Sequence, residues 1–263
     1  MNSAKVMKAK ILELSSCPQQ SVEPDTISIA QDFEPRLVVQ LAVEKGALHI
    51  VQKNSRAFNH ELKVADSMLY EPKDFMADPL SYILDKKSGH LFRVDCSANA
   101  NKKEPLEKLE EYIKSLAGSK AIISEVISST EEIYTNASKN TGTFYKRLEN
   151  VNPSKTEKQG SISLVAGSTG DTLVVGCIDS FGLLNVQALM AKVLACYDKG
   201  VAKSINMGAG GAGIGTFLVF SFAMNMYIAV EKNKRTAVFC SYPLGMRAKE
   251  FELLPKNLHL LSF

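Results

Sequence analysis

The sequence GAGGAGIGTFLVF, residues 208–220, joins a glycine cluster to the start of a long apolar run that extends over residues 214–230. A membrane-spanning helix needs ~20 apolar residues, so a membrane helix is one interpretation of this run. The run is, however, preceded by glycines and interrupted by three polar residues, Thr216, Ser221 and Asn225. These features favour a buried helix followed by a central strand, and we expect no membrane segment.

Outward from this run, apolar spacing predicts alternating helices and hairpins. Before the glycines it predicts helices at 106–116 and from Ser119 toward Asn136, a hairpin of 161–166 and 172–178, and a helix at 185–197. After them it predicts a helix from Ile214 to about Asn225 and a closing hairpin of 227–230 and 236–242. Helices on one face of a mostly antiparallel sheet form a two-layer sandwich, so we expect an α+β fold.

The first hundred residues have weaker patterns. Residues 47–52 and 90–96 are typical of strands, and residues 36–44 of a helix. A chain of 263 residues is long enough for two domains. We therefore expect a small α/β region at residues 1–100 and a main domain at residues 101–263.

The composition indicates which classes of partner and which cell compartment to expect. The net charge is only +3, from 31 basic and 28 acidic residues, and no patch interleaves aromatic with basic residues. Neither feature favours nucleic acid as a partner. The five cysteines are scattered, without CxxC spacing, as in reduced cytosolic proteins. The basic N-terminus lacks the apolar core of a secretory signal, so we expect a cytoplasmic protein.

The predicted helix that reaches Asn136 carries one polar stripe. Glu132 and Asn136 are four residues apart and Lys139 follows three later, so all three project from nearly the same face. A carboxylate, a carboxamide oxygen and an ammonium group suit a metal-bound triphosphate. An ordinary exposed polar face would show the same spacing, so this stripe needs support from other motifs.

Two further features suit a nucleotide. Asp179 ends the apolar strand TLVVGCID, where a carboxylate can accept a hydrogen bond from an exocyclic amine; the alternative is an Asp that starts the turn to Gly182. Glycines in the 208–215 segment would let backbone N–H groups approach phosphate at a helix N-terminus. A flexible hinge is the alternative interpretation of these glycines.

The glycine cluster also contains GxGxxG, at Gly208, Gly210 and Gly213, with Glu231 near the distance at which a dinucleotide site carries its acidic residue. The preceding residues are a poor strand, which argues against a dinucleotide-binding oxidoreductase. No GK[ST] follows the glycines, so a Walker motif is excluded.

Taken in order, these motifs resemble those of the GHKL superfamily of ATPases, particularly the domains of anti-sigma-factor serine kinases. The helix with Glu132, Asn136 and Lys139 resembles the N-box, and Asp179 with Gly182 resembles the G1 box. The glycines that resemble the G2 box are Gly211, Gly213 and Gly215, and Thr236 resembles the threonine that supports the adenine contact. The resemblance covers residues 119–242, nearly half of the chain.

The resemblance implies a Bergerat-type fold that binds ATP and Mg²⁺. It implies that Asn136 holds the metal and Glu132 acts as the catalytic residue. The expected nucleotide contacts are Lys139, Asp179, Gly182, Thr236 and the glycines, including Gly208 and Gly210. Its expected partner is a protein, such as a sigma factor or an antagonist, and a homodimer is possible.

The G1 segment departs from the family pattern. It contains Phe181 where the family has a glycine that permits close approach. This favours an alternative function, a degenerate pseudo-ATPase that serves as a protein-interaction module. The four histidines are isolated, and none lies in a phosphoacceptor pattern, which argues against a sensor histidine kinase.

Overall fold

The structure is a computed structural model that describes residues 7–84, 90–97, 101–116, 118–151, 160–201 and 212–263. Gly208, Gly210 and Gly211 therefore lie outside the described residues.

Nine strands form one mixed sheet among the described residues. They are β1 (Lys10–Leu14), β2 (Thr26–Ala30), β3 (His49–Gln52), β4 (His90–Ser97), β5 (Ser161–Thr169), β6 (Thr172–Asp179), β7 (Asn225–Glu231), β8 (Arg235–Pro243) and β9 (Asn257–Ser262). Their order across the sheet is β1-β2-β3-β9-β7-β8-β6-β5-β4. The pairs β1–β2, β2–β3 and β7–β9 are parallel, and the other five are antiparallel.

Eight α-helices fall within the described ranges. They are α1 (Pro35–Glu44), α2 (Phe58–Tyr70), α3 (Pro72–Ala77), α4 (Pro79–Ile83), α5 (Lys103–Ser115), α6 (Ile123–Val151), α7 (Val186–Lys199) and α8 (Ala212–Phe222). Short 3-10 turns at Ser119–Ala121 and Ala248–Leu253 complete the fold.

Both predicted hairpins are confirmed. β5 and β6 pair in register up to Thr169 and Thr172, so a two-residue turn joins them, with Gly170 at φ +50°. β7 and β8 pair up to Glu231 and Arg235, and their turn places Asn233 at φ +60°. The α+β class is therefore present as the sequence predicted.

Helices cover both faces of the sheet, whereas the sequence predicted one covered face. Helices α1 and α5–α8 pack on one face, and α2–α4 pack on the other. Successive residues of each central strand pack alternately against the two layers of helices. Met226, for example, lies on the first face and Tyr227 on the second. The α2–α4 layer lies in the first hundred residues, where the helices are short and the apolar spacing is weak.

The two predicted regions share the sheet. β4, before residue 100, pairs with β5 at one edge. β1–β3 join through β3, which pairs with the C-terminal strand β9. The predicted domain boundary at residue 100 thus falls between elements of one continuous sheet.

The apolar run at 214–230 forms most of helix α8 and then β7, a fully buried central strand. This confirms the predicted helix and strand. Among the described residues, no helix is both long and apolar enough to cross a membrane.

A buried lysine fixes the end of α8. Lys256 is only 1% exposed, and its ammonium donates to the carbonyl oxygens of Ser221, Ala223 and Phe251 at 2.7, 2.8 and 2.7 Å. Two of these carbonyls lie at the C-terminal end of α8, where an ammonium group complements the helix dipole. The lysine therefore connects α8 to the 3-10 turn and to β9.

We expect Lys256→Met to lower the free energy of unfolding by about 3 kcal/mol, because three buried carbonyls lose their charged donor. Urea denaturation measures the change. The matched control is Lys232→Met, at an exposed position, which we expect to alter stability by less than ~0.5 kcal/mol. Equal denaturation midpoints for the two variants would contradict this role of Lys256.

Candidate functional site

A small, partly open cavity of about 30 Å³ lies between helices α6 and α8 and the strands β6, β7 and β8. Its polar lining comes from four residues of separate segments, Asn136, Asp179, Thr216 and Thr236. The remainder is mostly aliphatic and includes Leu184 and Val219. An apolar cavity with a few convergent polar groups is the usual form of a ligand site.

Asp179 is the most constrained polar group of this cavity. Its side chain is 3% exposed, and Oδ1 accepts hydrogen bonds from the backbone N–H groups of Phe181, Gly182 and Thr236 at 2.9, 3.2 and 3.2 Å. The first two bonds form the turn after β6, and the third crosses to β8. All three end on Oδ1, so Oδ2 remains the oxygen that a ligand would meet.

Burial raises the pKa of Asp179, and the backbone donors at Phe181, Gly182 and Thr236 oppose that shift. The Thr236 hydroxyl also favours the charged carboxylate, although it is not aligned for a hydrogen bond. Because the folded pKa is raised, this group stabilises the fold fully below its unfolded pKa. That contribution is lost as the pH rises through the folded pKa.

Gly182 fixes the turn that holds Asp179. Its φ is +61°, and its carbonyl accepts from the backbone N–H of Asn233 at 3.1 Å. A Cβ at this position would lie 2.1 Å from the carbonyl oxygen of Glu231. Only glycine permits this contact between the turn after β6 and the β7–β8 turn.

Helix α6 carries the predicted N-box residues. Asn136 Nδ2 donates to Glu132 Oε1 at 3.0 Å, as the four-residue spacing predicts. Asn136 lines the cavity, whereas the Glu132 carboxylate lies against Gly215 of α8, where a Cβ would come within 1.9 Å of it. Lys139 is exposed. The structure thus brings Glu132, Asn136 and Gly215 together and leaves Lys139 at the surface.

The last glycines of the cluster are helical. Helix α8 begins at Ala212, two residues before the predicted start, so Gly213 and Gly215 belong to its first turn and not to a loop. The first turn of a helix has unpaired backbone N–H groups and a partial positive charge. The Glu132 carboxylate lies beside this end of α8, which is where an anion is stabilised.

Two polar atoms at this cavity have unmet hydrogen-bonding capacity. The Oδ1 of Asn136 and the Oγ1 of Thr236 are buried and have no hydrogen-bond partner among the described residues. Buried polar groups are normally paired, so an unpaired acceptor beside a cavity points to a ligand or a solvent molecule. Both atoms come from helix or strand positions that the sequence had assigned to a nucleotide.

Phe181 does not narrow the cavity. Its ring is fully buried and packs against Gly160, where a Cβ would come within 2.1 Å of the ring. The ring does not belong to the cavity lining. Phe181, the residue that departs from the G1 pattern, therefore packs into the core beside β5 and does not contact the cavity.

The sequence pointed to three of the residues that line the cavity and missed the others, among them Cys177, Leu184 and Thr216. Thr216 follows Gly215 directly and is the first polar residue of α8, so its position after the glycines was an available signal. Cys177 and Leu184 are apolar in context, and nothing in the sequence separates them from other core residues.

Comparison with known proteins identifies no family. No family model matches the chain, and no curated protein matches it.

Gly182→Ala tests the turn that holds Asp179. We expect it to lower the free energy of unfolding by about 3 kcal/mol, from the positive φ and the overlap with backbone atoms. Gly170→Ala is the matched control, because Gly170 also has a positive φ but open space around it. We expect about 1 kcal/mol for this control. Similar losses for both variants, measured by urea denaturation, would contradict the close packing at Gly182.

Proposed function

We propose that the cavity binds the adenine end of Mg-ATP, and that the protein is an ATP-binding regulator resembling anti-sigma-factor serine kinases. One observation carries this proposal. Asn136, Asp179 and Thr236, which lie far apart in the sequence, line one cavity, and two of them present unpaired buried acceptors. Under the same proposal the regulator acts in the cytoplasm, on a protein partner such as a sigma factor or its antagonist.

Asp179 is suited to the adenine base. Its Oδ1 is occupied by three backbone donors, so Oδ2 accepts a hydrogen bond from the exocyclic amine. Thr236 supports this contact, since its backbone N–H fixes the carboxylate and its hydroxyl is unpaired. Guanine carries a carbonyl oxygen at the equivalent position, so an ionised Asp179 selects against it.

Asn136 and helix α8 are suited to the phosphates. The carboxamide Oδ1 of Asn136 is a hard ligand that Mg²⁺ accepts. No group of three or more His, Cys, Asp or Glu side chains within the described residues is arranged to hold a metal. Under this proposal, phosphate oxygens would supply most of the ligands of the Mg²⁺ ion. The ion would arrive bound to the nucleotide. The first turn of α8 adds its partial positive charge.

Glu132 is suited to the role of the catalytic base. Its carboxylate lies against Gly215, beside the end of α8 where phosphates would approach. Beside a nucleotide bound at this end of α8, the carboxylate would lie next to the reacting phosphoryl group. There Glu132 would accept the proton of a partner's hydroxyl as the phosphoryl group is transferred.

Cavity size supports a second candidate function, the pseudo-ATPase that serves as a protein-interaction module. About 30 Å³ is room for a water molecule and not for a purine ring. ATP binding therefore requires the walls to separate. Leu184 lines both this cavity and a neighbouring groove of about 440 Å³, so its displacement would join the two spaces.

Leu184→Ala tests whether this side chain limits entry. We expect the affinity for Mg-ATP to rise by about fivefold, because truncation opens the cavity to the groove at little cost to bound ligand contacts. Isothermal titration calorimetry measures the change. Leu183→Ala is the control, since Leu183 lines the groove only, and we expect its affinity to equal that of the wild type.

Asp179→Asn tests the adenine contact. Asparagine keeps an oxygen for the three backbone donors and removes a buried charge, so we expect the variant to fold normally. Its amide N–H groups would face the adenine amine, and we expect Mg-ATP affinity to fall at least a hundredfold. The same titration is made with Mg-GTP, for which we expect no loss.

Two results distinguish the candidates. ATP binding that survives Asp179→Asn would remove this residue from the adenine role. Absence of ATP binding in the wild type and in Leu184→Ala, with intact folds and a captured protein partner, would select the protein-interaction module.

A further inference from the structure

A second and larger cavity, of about 410 Å³, lies on the opposite face of the sheet. Helices α2 and α4 and the strands β6, β7 and β8 enclose it. Its polar lining includes Glu61, Lys63, Asp171, Asn225, Tyr227 and Ser241. This volume is in the range of cavities that hold small molecules.

Glu61 lines this cavity. Glu61 is 1% exposed, which is rare for a glutamate. Oε1 accepts from Asn225 Nδ2 at 2.8 Å and from the Tyr227 hydroxyl at 3.0 Å. Oε2 lies 2.8 Å from the same hydroxyl and 3.1 Å from His259 Nε2.

These contacts leave Glu61 with spare accepting capacity. A carboxylate has about four acceptor positions, and the single proton of Tyr227 can serve only one oxygen at a time. Three donors therefore share the four positions. One acceptor position remains, on a carboxylate whose residue lines the cavity.

The residues behind Glu61 supply no further donor to it. His259 stacks on Tyr227 with ring planes at 7°, and its Nδ1 lies 3.4 Å from His49 Nδ1. Burial lowers the pKa of His49 well below its usual value, and the nearby His259 lowers it further. A neutral His49 does not add positive charge to this network.

Ser241 gives a second, independent indication of a ligand. It is 1% exposed and lines the cavity, and its hydroxyl has no hydrogen-bond partner within the described residues. The hydroxyl comes from β8, whereas Glu61 comes from α2. Unmet hydrogen-bonding capacity thus reaches the cavity from two elements.

We propose that this cavity is a second ligand site, which takes a small molecule carrying a primary ammonium group. The ammonium group donates to the free position on Glu61 and to the Ser241 hydroxyl. Asp171 lies at the rim with its side chain 74% exposed, and its carboxylate is paired with Arg56 at 3.7 Å, so it adds no net charge to the site. Lys63, also at the rim, is exposed and can turn toward solvent.

The site is separate from the nucleotide cavity but shares its strands. Thr236 and Val238 of β8 line the first cavity, and Ser241 lines the second. On β7, Met226 faces one cavity and its neighbours Asn225 and Tyr227 face the other. A ligand in the second cavity therefore contacts strands that form the nucleotide cavity. The proposal does not depend on nucleotide binding, because none of the residues that would hold the ammonium group belongs to the motifs assigned to the nucleotide.

The test uses three probes of similar size, n-butylamine, n-butanol and butyrate, with the full chain and no nucleotide. Saturation-transfer NMR gives their dissociation constants, and protein chemical shifts locate the bound probe. We expect n-butylamine to bind at least tenfold more tightly than the other two. The shifts of the Asn225 side-chain amide should be among those that move.

Variants separate a ligand role from a structural one. We expect Glu61→Gln to weaken n-butylamine binding at least tenfold and Ser241→Ala to weaken it about threefold. Ser241→Ala removes an unpaired hydroxyl, so it keeps the fold if Glu61→Gln does not. Glu110→Gln, at a half-buried position of α5 outside the cavity lining, is the control and should bind as the wild type does. Equal binding of amine and alcohol, or unchanged amine binding in Ser241→Ala, would overturn the proposal.

Discussion

The hydrogen bonding of β9 between β3 and β7 is the constraint on which the structure depends. This strand pairs antiparallel with β3 and parallel with β7, so it joins the N-terminal strands to the C-terminal sheet. Side chains reinforce the junction: Asn257 accepts from the backbone N–H of Gln52 and donates to Asn225 Oδ1, both at 2.7 Å. Lys256, the residue before β9, ties the same strand to α8. The last residues of the chain therefore hold both layers of helices on one sheet.

The joined sheet separates two chemical environments. Residues of β6, β7 and β8 alternate between its faces, so the same strands line a small cavity under α6 and α8 and a larger one under α2 and α4. Asp179 organises the first through three backbone donors, and Glu61 organises the second through side-chain donors. In both cases a buried carboxylate is held by several donors, keeps some accepting capacity and belongs to a residue that lines a cavity. The proposed nucleotide site and the proposed ammonium site therefore share three strands.

Local patterns predicted the C-terminal elements well, for identifiable reasons. The turn GSTGD, the Asn185 cap of α7 and the glycine start of α8 are local signals. The local patterns were weaker for β1, β2 and β9, because a short strand contains few alternating apolar and polar residues. In the layer α2–α4, α3 and α4 were missed because helices of 6 and 5 residues show little periodicity; length does not explain α2, which has 13 residues, as α5 has. The cluster around Glu61 was not foreseen, because Glu61 and His259 are 198 residues apart.

The sequence by itself determined which residue types could serve a nucleotide and in what order they occur, because helix spacing and turn chemistry act over a few residues. It placed Glu132 and Asn136 on one helical face and Asp179 at the end of a strand. Only the tertiary structure decided that Asn136, Asp179 and Thr236 meet at one cavity while Lys139 stays exposed. It also decided that Phe181 turns into the core. Those outcomes depend on how helices pack across a sheet, which is set by contacts between residues far apart in the chain.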